Sequence, residues 1–174
     1  IPEDLVGDEE ELTKRRIFPE LRAAEARYFA VQLRNTLESS AQWGAVRVVP
    51  SSVKFVDVVV DGRIIESSGK QLELAITARD AAGRNWINDK RYAGEADLGS
   101  YKTDAALKAR DPFQNVYAAI ANDLLQARAK LASQQLREVR QISELSFAED
   151  LAPQAMAGYV VNDTGAKPPL KRVA

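Results

Sequence analysis

The sequence predicts an α+β fold of two layers, a mainly antiparallel sheet of about four strands with helices on one face. Three observations carry this reading. Alternating apolar and polar residues run from Val56 to Ile65 and again from Gln71 to Arg79, the period-two signature of strands buried on one side. Turn residues separate those runs at hairpin spacing. Apolar residues recur at three- and four-residue intervals on both sides of the strand region, which is the helical period.

The first stretch is acidic, with Glu3, Asp4, Asp8, Glu9, Glu10 and Glu11, and turns basic at Lys14, Arg15 and Arg16. Residues 1–18 are therefore expected to be a solvated acidic segment, or a docking tail for a basic partner. Pro19 suits the first position of a helix. Ala26, Phe29, Ala30, Leu33 and Leu37 make one apolar stripe after it, and Ser39, Ser40 and Gly44 supply the stop, so helix is expected over 19–40.

Strands are expected at 45–49, 54–66, 70–80 and 84–94. Ser67-Ser68-Gly69 reads as a three-residue loop with glycine in the left-handed position. That loop sets Ile64 opposite Leu72, Arg63 opposite Glu73 and Asp57 opposite Arg79. Ala81-Ala82-Gly83 offers a second such loop, which sets Trp86 opposite Ala78. Carried further, this pairing turns Asn88 and Lys90 inward, a conflict that an edge strand or a bulge would relieve.

Periodicity fades over 94–110, a length of loop that is often functional. Asp111-Pro112 gives an N-cap followed by proline, and Phe113, Val116, Tyr117, Ile120, Leu124, Ala127 and Leu131 form a strong stripe. A weaker stripe of Leu136, Val139, Ser143 and Phe147 follows Ser133. Helices are expected at 112–132 and 134–150. The division is an acidic segment at 1–18, one α+β domain at 19–155 and a Gly-, Pro- and Lys-containing tail at 156–174.

Composition removes whole classes of chemistry. The chain has 174 residues, 45% hydrophobic and 28% charged, with a net charge of −1, and contains neither histidine nor cysteine. Zinc sites of the usual kind, cysteine nucleophiles, serine–histidine triads and haem ligation are excluded. No global positive field recruits nucleic acid. Carboxylate catalysis and oxygen-ligand binding of calcium or magnesium stay open.

Asp57 and Asp61 share a strand face about 13 Å apart at about 3.3 Å per residue, beyond the spacing of a glycosidase pair. Arg47, Asp57, Arg63, Glu73, Arg79 and Arg91 read as register-setting charges, with anion binding as the alternative. Trp43, Trp86 and Tyr92 read as packing residues, with an aromatic binding surface as the alternative. Leu98, Tyr101 and Leu107 are the expected partner-binding residues. No catalytic, cofactor-binding or metal-ligating residue is assigned, and no cofactor is expected.

The order of parts carries a resemblance. Leu37-Glu38-Ser39-Ser40-Ala41-Gln42-Trp43-Gly44-Ala45-Val46-Arg47-Val48-Val49-Pro50 closes the first helix. Val56-Asp57-Val58-Val59-Val60-Asp61-Gly62-Arg63-Ile64 and Ala78-Arg79-Asp80-Ala81-Ala82-Gly83-Arg84-Asn85-Trp86 follow, and Asp111-Pro112-Phe113 opens the closing helix. This arrangement, over about residues 20–155, is similar to the helix-plus-meander domain of the amino-terminal part of TolB, the curli-secretion lipoproteins and the lipoprotein activators of penicillin-binding proteins. It more closely resembles an uncharacterised proteobacterial envelope lipoprotein-like family, in which a segment like Phe147-Ala148-Glu149-Asp150-Leu151-Ala152-Pro153 recurs.

The resemblance implies a periplasmic, outer-membrane-associated protein that binds other proteins. Its partner would be a protein of the cell envelope, a homo-oligomer or a larger complex. It implies no nucleic acid, and a membrane only through a lipid anchor preceding Ile1. The leading expectation is thus a non-enzymatic binding, assembly or scaffold protein. A carboxylate-dependent hydrolase or saccharide-binding protein, and a subunit of a larger envelope complex, are the alternatives.

Overall fold

A computed structural model describes the backbone of residues 4–50, 53, 55–96 and 111–156, and within those ranges the side chains from Glu20 to Ala155. The order of elements is α1 (Asp4–Ser39), β1 (Val58–Ser67), β2 (Gln71–Asp80), β3 (Asn85–Glu95), α2 (Gln114–Ala129), α3 (Ser133–Leu151) and the short α4 (Pro153–Met156). The strands form one sheet in the order β1-β2-β3. The class is α+β with an antiparallel sheet.

Three of the four expected strands form. Residues 45–49 are irregular, and Val48 and Val49 are 39% and 42% exposed. Their β-branched side chains favour extended backbone, but a strand needs a partner ladder, and this segment has none among the described residues. Helix α1 starts at Asp4, not at Pro19, which lies within it. Proline removes one main-chain hydrogen bond there. Acid-to-base steps of four residues, Glu10 to Lys14 and Glu11 to Arg15, are the spacing that supports a helix across the segment expected to be a tail.

The far end of α1 is closed by hydroxyls. Thr36 and Ser39 donate to the carbonyls of Gln32 and Asn35, and Ser40 donates to that of Leu37. Ala41 then leaves in the left-handed region with φ 53°.

The β2–β3 hairpin forms as expected. Asp80 N–H donates to Arg84 C=O at 3.0 Å, Gly83 N–H donates to Asp80 C=O at 2.9 Å, and Gly83 has φ 81°. A type I turn with a left-handed glycine gives this pattern. Ile87 and Tyr92, the buried residues of β3, are five apart, an odd interval that an unbroken strand would split between two faces. Asp89, at φ 43°, lies between them and resets the alternation, leaving Asn88 and Lys90 exposed.

The β1–β2 pairing differs from expectation. Ser68 N–H donates to Gln71 C=O, and the Ser68 hydroxyl accepts from the Gln71 and Lys70 N–H groups. The turn is thus organised by Ser68, and Gly69 has no positive φ. At the other end Ala81 N–H donates to Asp57 C=O at 2.9 Å, two residues from the expected Asp57–Arg79 pair.

The chain divides into two compact units. The first comprises Ile1–Val48, Gly62–Leu74 and Ala93–Ala118, and the second Val49–Asp61, Ala75–Tyr92 and Ala119–Ala174. In the first, Phe29, Leu37, Leu72, Leu74, Phe113, Val116 and Tyr117 are buried; in the second, Ala75, Ile76, Ala78, Ile87, Tyr92, Ile120, Leu124 and Val139 are buried. The even-numbered apolar face of β2 is the buried one, as its alternation predicts. In β1 no residue is fully buried.

Within the first unit Asp111 Oδ1 accepts the Phe113 N–H at 2.7 Å, so the Asp-Pro step caps a turn that leads into α2. Gln114 reaches the Thr36 hydroxyl at 3.0 Å, and Ser67 donates to Glu25. Gly94 allows a close approach, because a Cβ at that position would lie 2.6 Å from Val116 Cγ2. We predict that Gly94→Ala costs about 1–3 kcal/mol through overpacking. Chemical denaturation of the two single variants and of the Gly94→Ala, Val116→Ala pair checks this: the double loses less than the sum of the singles.

Candidate functional site

Leu98, Tyr101 and Leu107 lie outside the described residues. The second unit carries three charged or polar groups and one exposed apolar patch; the candidates Trp43, Arg47, Arg63 and Glu73 belong to the first unit.

The first group is built on the β2–β3 turn. The Asp80 side chain is completely out of solvent. Its Oδ1 accepts the Arg84 N–H at 2.9 Å, and its Oδ2 accepts Trp86 Nε1 at 3.0 Å. Arg84 lies 3.4 Å from the same carboxylate and also forms an ion pair with Glu138 of α3. The hydrogen bond with Glu138 raises the Arg84 pKa above its usual value, partial burial opposes this, and the Asp80 charge adds to it. Trp86, a candidate for an aromatic surface, is held by its ring N–H.

The second group centres on Asp123. Lys90 Nζ approaches its Oδ2 at 2.5 Å and the Tyr92 hydroxyl at 2.6 Å, with the Lys90 ammonium 5.2 Å from the Tyr92 ring centre. Hydrogen bonds from Lys90 and Tyr92 lower the Asp123 pKa, against a smaller opposing effect of burial. Burial, then the hydrogen bond to Asp123, pushes the Tyr92 phenol up. Tyr92 is therefore a packing residue with its polar end satisfied.

The third group corrects the expected cross-strand pair of Asp57 and Arg79. Asp57 accepts from the buried Ser143 hydroxyl at 2.5 Å and lies 3.5 Å from Arg140, both on α3. Arg79 Nε instead donates to Asn85 at 3.1 Å. Asp61 is exposed. These contacts tie α3 to the second unit's strand segments, and Asp57, Asp80 and Asp123 each serve a structural pairing.

In the first unit the Tyr28 hydroxyl donates to Asp111 Oδ2 at 2.6 Å. The Tyr117 side chain is fully buried and its hydroxyl has no hydrogen-bond partner among the described residues. Burial, then the charge of Asp111, pushes its phenol up.

The sequence expectation does not include the apolar patch. Phe55 and Phe147 meet edge to face with ring centres 5.6 Å apart, yet they are 37% and 47% exposed. Leu151, one helical turn beyond Phe147, is 67% exposed. The expected inward stripe of α3 is right at Val139 and Ser143, which are buried, and wrong at Phe147. The signal was present in the sequence: Phe147 and Leu151 also continue the series Ser133, Arg137, Arg140, Glu144, whose polar members mark the outer face.

Among the described residues, no group of three or more acidic side chains is placed to hold a metal ion, and no helix is long and apolar enough to cross a membrane. No family model, curated protein or solved structure matches the chain at a significant level.

Two predictions follow from the charged groups. Asp80→Ala removes the acceptor of the Trp86 ring N–H and of the Arg84 main-chain N–H and leaves the Arg84 guanidinium with Glu138 alone, and we expect a loss of about 3 kcal/mol in urea denaturation. Glu138→Gln, at a partly exposed position, costs less. Asp123 has a folded pKa below the ordinary carboxylate value of 3.8. Its contribution is therefore complete above that value and disappears as pH falls through the lower folded one. Denaturation from pH 7 down to pH 2 should show a wild-type advantage over Asp123→Asn that is constant near neutrality and shrinks in acid.

Proposed function

We propose that the chain is a non-enzymatic protein-binding or assembly component of the bacterial cell envelope, docking through the Phe55–Phe147–Leu151 surface of its second unit. The observation that carries this reading is the exposed ring pair. Single exposed apolar residues are ordinary, but two phenylalanines in contact with each other and a leucine one turn away form a patch of the kind used for protein contacts. Burying such anchors supplies most of the energy of a typical interface. The commitment of Asp57, Asp80 and Asp123 to neighbouring side chains supports a binding role over carboxylate catalysis.

The envelope location rests on the order of parts, a helix followed by an antiparallel meander and a closing Asp-Pro-Phe helix. A periplasmic residence and a protein partner are consistent with that order.

Replacing Phe55 and Phe147 together by serine tests the reading. The variant should keep its cooperative unfolding while the yield of protein complexes, recovered by crosslinking in intact cells, falls at least about tenfold. Unchanged complexes, or fractionation that places the native protein in the cytosol, would overturn the proposal in its docking or its location part respectively.

A further inference from the structure

The docking surface has a feature that names its occupant. Ser133, Arg137, Arg140, Glu144, Phe147 and Leu151 follow one another at intervals of 4, 3, 4, 3 and 4 residues along α3, and all six are exposed. That is the spacing of a coiled-coil seam, in which alternate three- and four-residue steps keep one stripe facing a partner helix. The seam is basic at Arg137 and Arg140, acidic at Glu144 and apolar at Phe147 and Leu151.

We propose that α3 docks antiparallel against α3 of a second copy of this chain, about a two-fold axis passing near Ile142. This rests on the reading of the Phe55–Phe147–Leu151 patch as a docking surface and gives that surface its partner. Antiparallel superposition of the seam on itself pairs Arg140 with Glu144, Arg137 with Phe147 and Ser133 with Leu151, each pair occurring twice by symmetry. Every layer is complementary: an ion pair at the centre, a guanidinium against an aromatic ring next, and an apolar side chain over a small one at the ends. A parallel pairing would instead set Arg140 on Arg140 and Glu144 on Glu144, so the charges select the antiparallel arrangement.

Two further facts favour this partner. The end of α3 carries Glu149 and Asp150 and no base, and its first turn carries no acid, so its charges oppose the helix dipole. An antiparallel neighbour brings a basic half and the opposite dipole against that acidic end. The Arg140 side chain is 70% exposed beside Asp57 at 3.5 Å, and a guanidinium has five N–H donors, so it can hold Asp57 and accept a second carboxylate together. Phe55, stacked on Phe147, widens the apolar end of each copy's seam.

Sedimentation equilibrium of the full chain tests the inference. The wild type should show a concentration-dependent monomer–dimer equilibrium. Arg140→Glu and Glu144→Arg should each weaken self-association at least about tenfold, because each sets like charges together in both central layers. A one-to-one mixture of those two variants should restore dimers containing one chain of each. Phe147→Ser, which leaves the Asp57–Arg140 pair alone, should weaken the dimer as well. A wild type that stays monomeric, a dimer indifferent to these substitutions, or a mixture that fails to associate overturns the proposal.

A photo-crosslinking amino acid in place of Phe55 separates this inference from the reading beneath it. Crosslinked product at twice the chain mass supports self-docking. Products with other proteins alone overturn self-docking while the docking surface stands, and no product of any kind overturns both.

Discussion

The buried carboxylate of Asp80 is the interaction on which the second unit depends. It ends β2, accepts the main-chain N–H of Arg84 across the Gly83 turn, and takes the ring N–H of Trp86 as β3 begins. A charge with no solvent exposure is tolerable only when donors surround it. Here the donors come from the hairpin itself, so the turn, the start of β3 and the ion pair of Arg84 with Glu138 form or fail together. Asp57 makes the second tie, with Ser143 and Arg140. Through these two carboxylates α3 is held by polar bonds, and its buried side needs few large apolar residues.

That economy explains which parts of the fold were legible. The β2–β3 hairpin is readable because its turn has a local requirement, a left-handed residue at Gly83, that few residues other than glycine meet. The face of β2 is readable because Leu72, Leu74, Ile76 and Ala78 alternate without a break. The β1–β2 turn is not, because Ser68 supplies with its hydroxyl what glycine was expected to supply with its freedom. The displaced pairing at Asp57 follows from α3, since the aspartate is held by Ser143 and Arg140 and not by a residue across the sheet. No local spacing contains that information.

The same distinction governs the segments whose structure departs from the sequence expectation. Val46 to Val49 carry strand propensity without a ladder to join. Pro19 marks a plausible helix start, but the helix runs through it, with acid-to-base steps of four residues in the turns before it. At Asp89 the expected conflict was legible and so was its remedy, a local irregularity that keeps Asn88 and Lys90 in solvent.

The exposed apolar patch departs from the sequence expectation for a physical reason of its own. Helix α3 carries two overlapping series at nearly the same period, and Phe147, being apolar, reads as a member of the inner one. The inner series in fact runs through Val139 and Ser143, a small and a polar residue, because Asp57 and Arg84 supply part of the attachment. A helix bound to its own domain by hydrogen bonds and ion pairs does not need Phe147 or Leu151 for stability. Phe147 gains one ring contact inside the unit, with Phe55, and remains exposed together with Leu151, in step with Arg137, Arg140 and Glu144. In the proposed antiparallel pairing Arg140 meets Glu144 and Arg137 meets Phe147, so the polar and apolar members of one stripe answer each other.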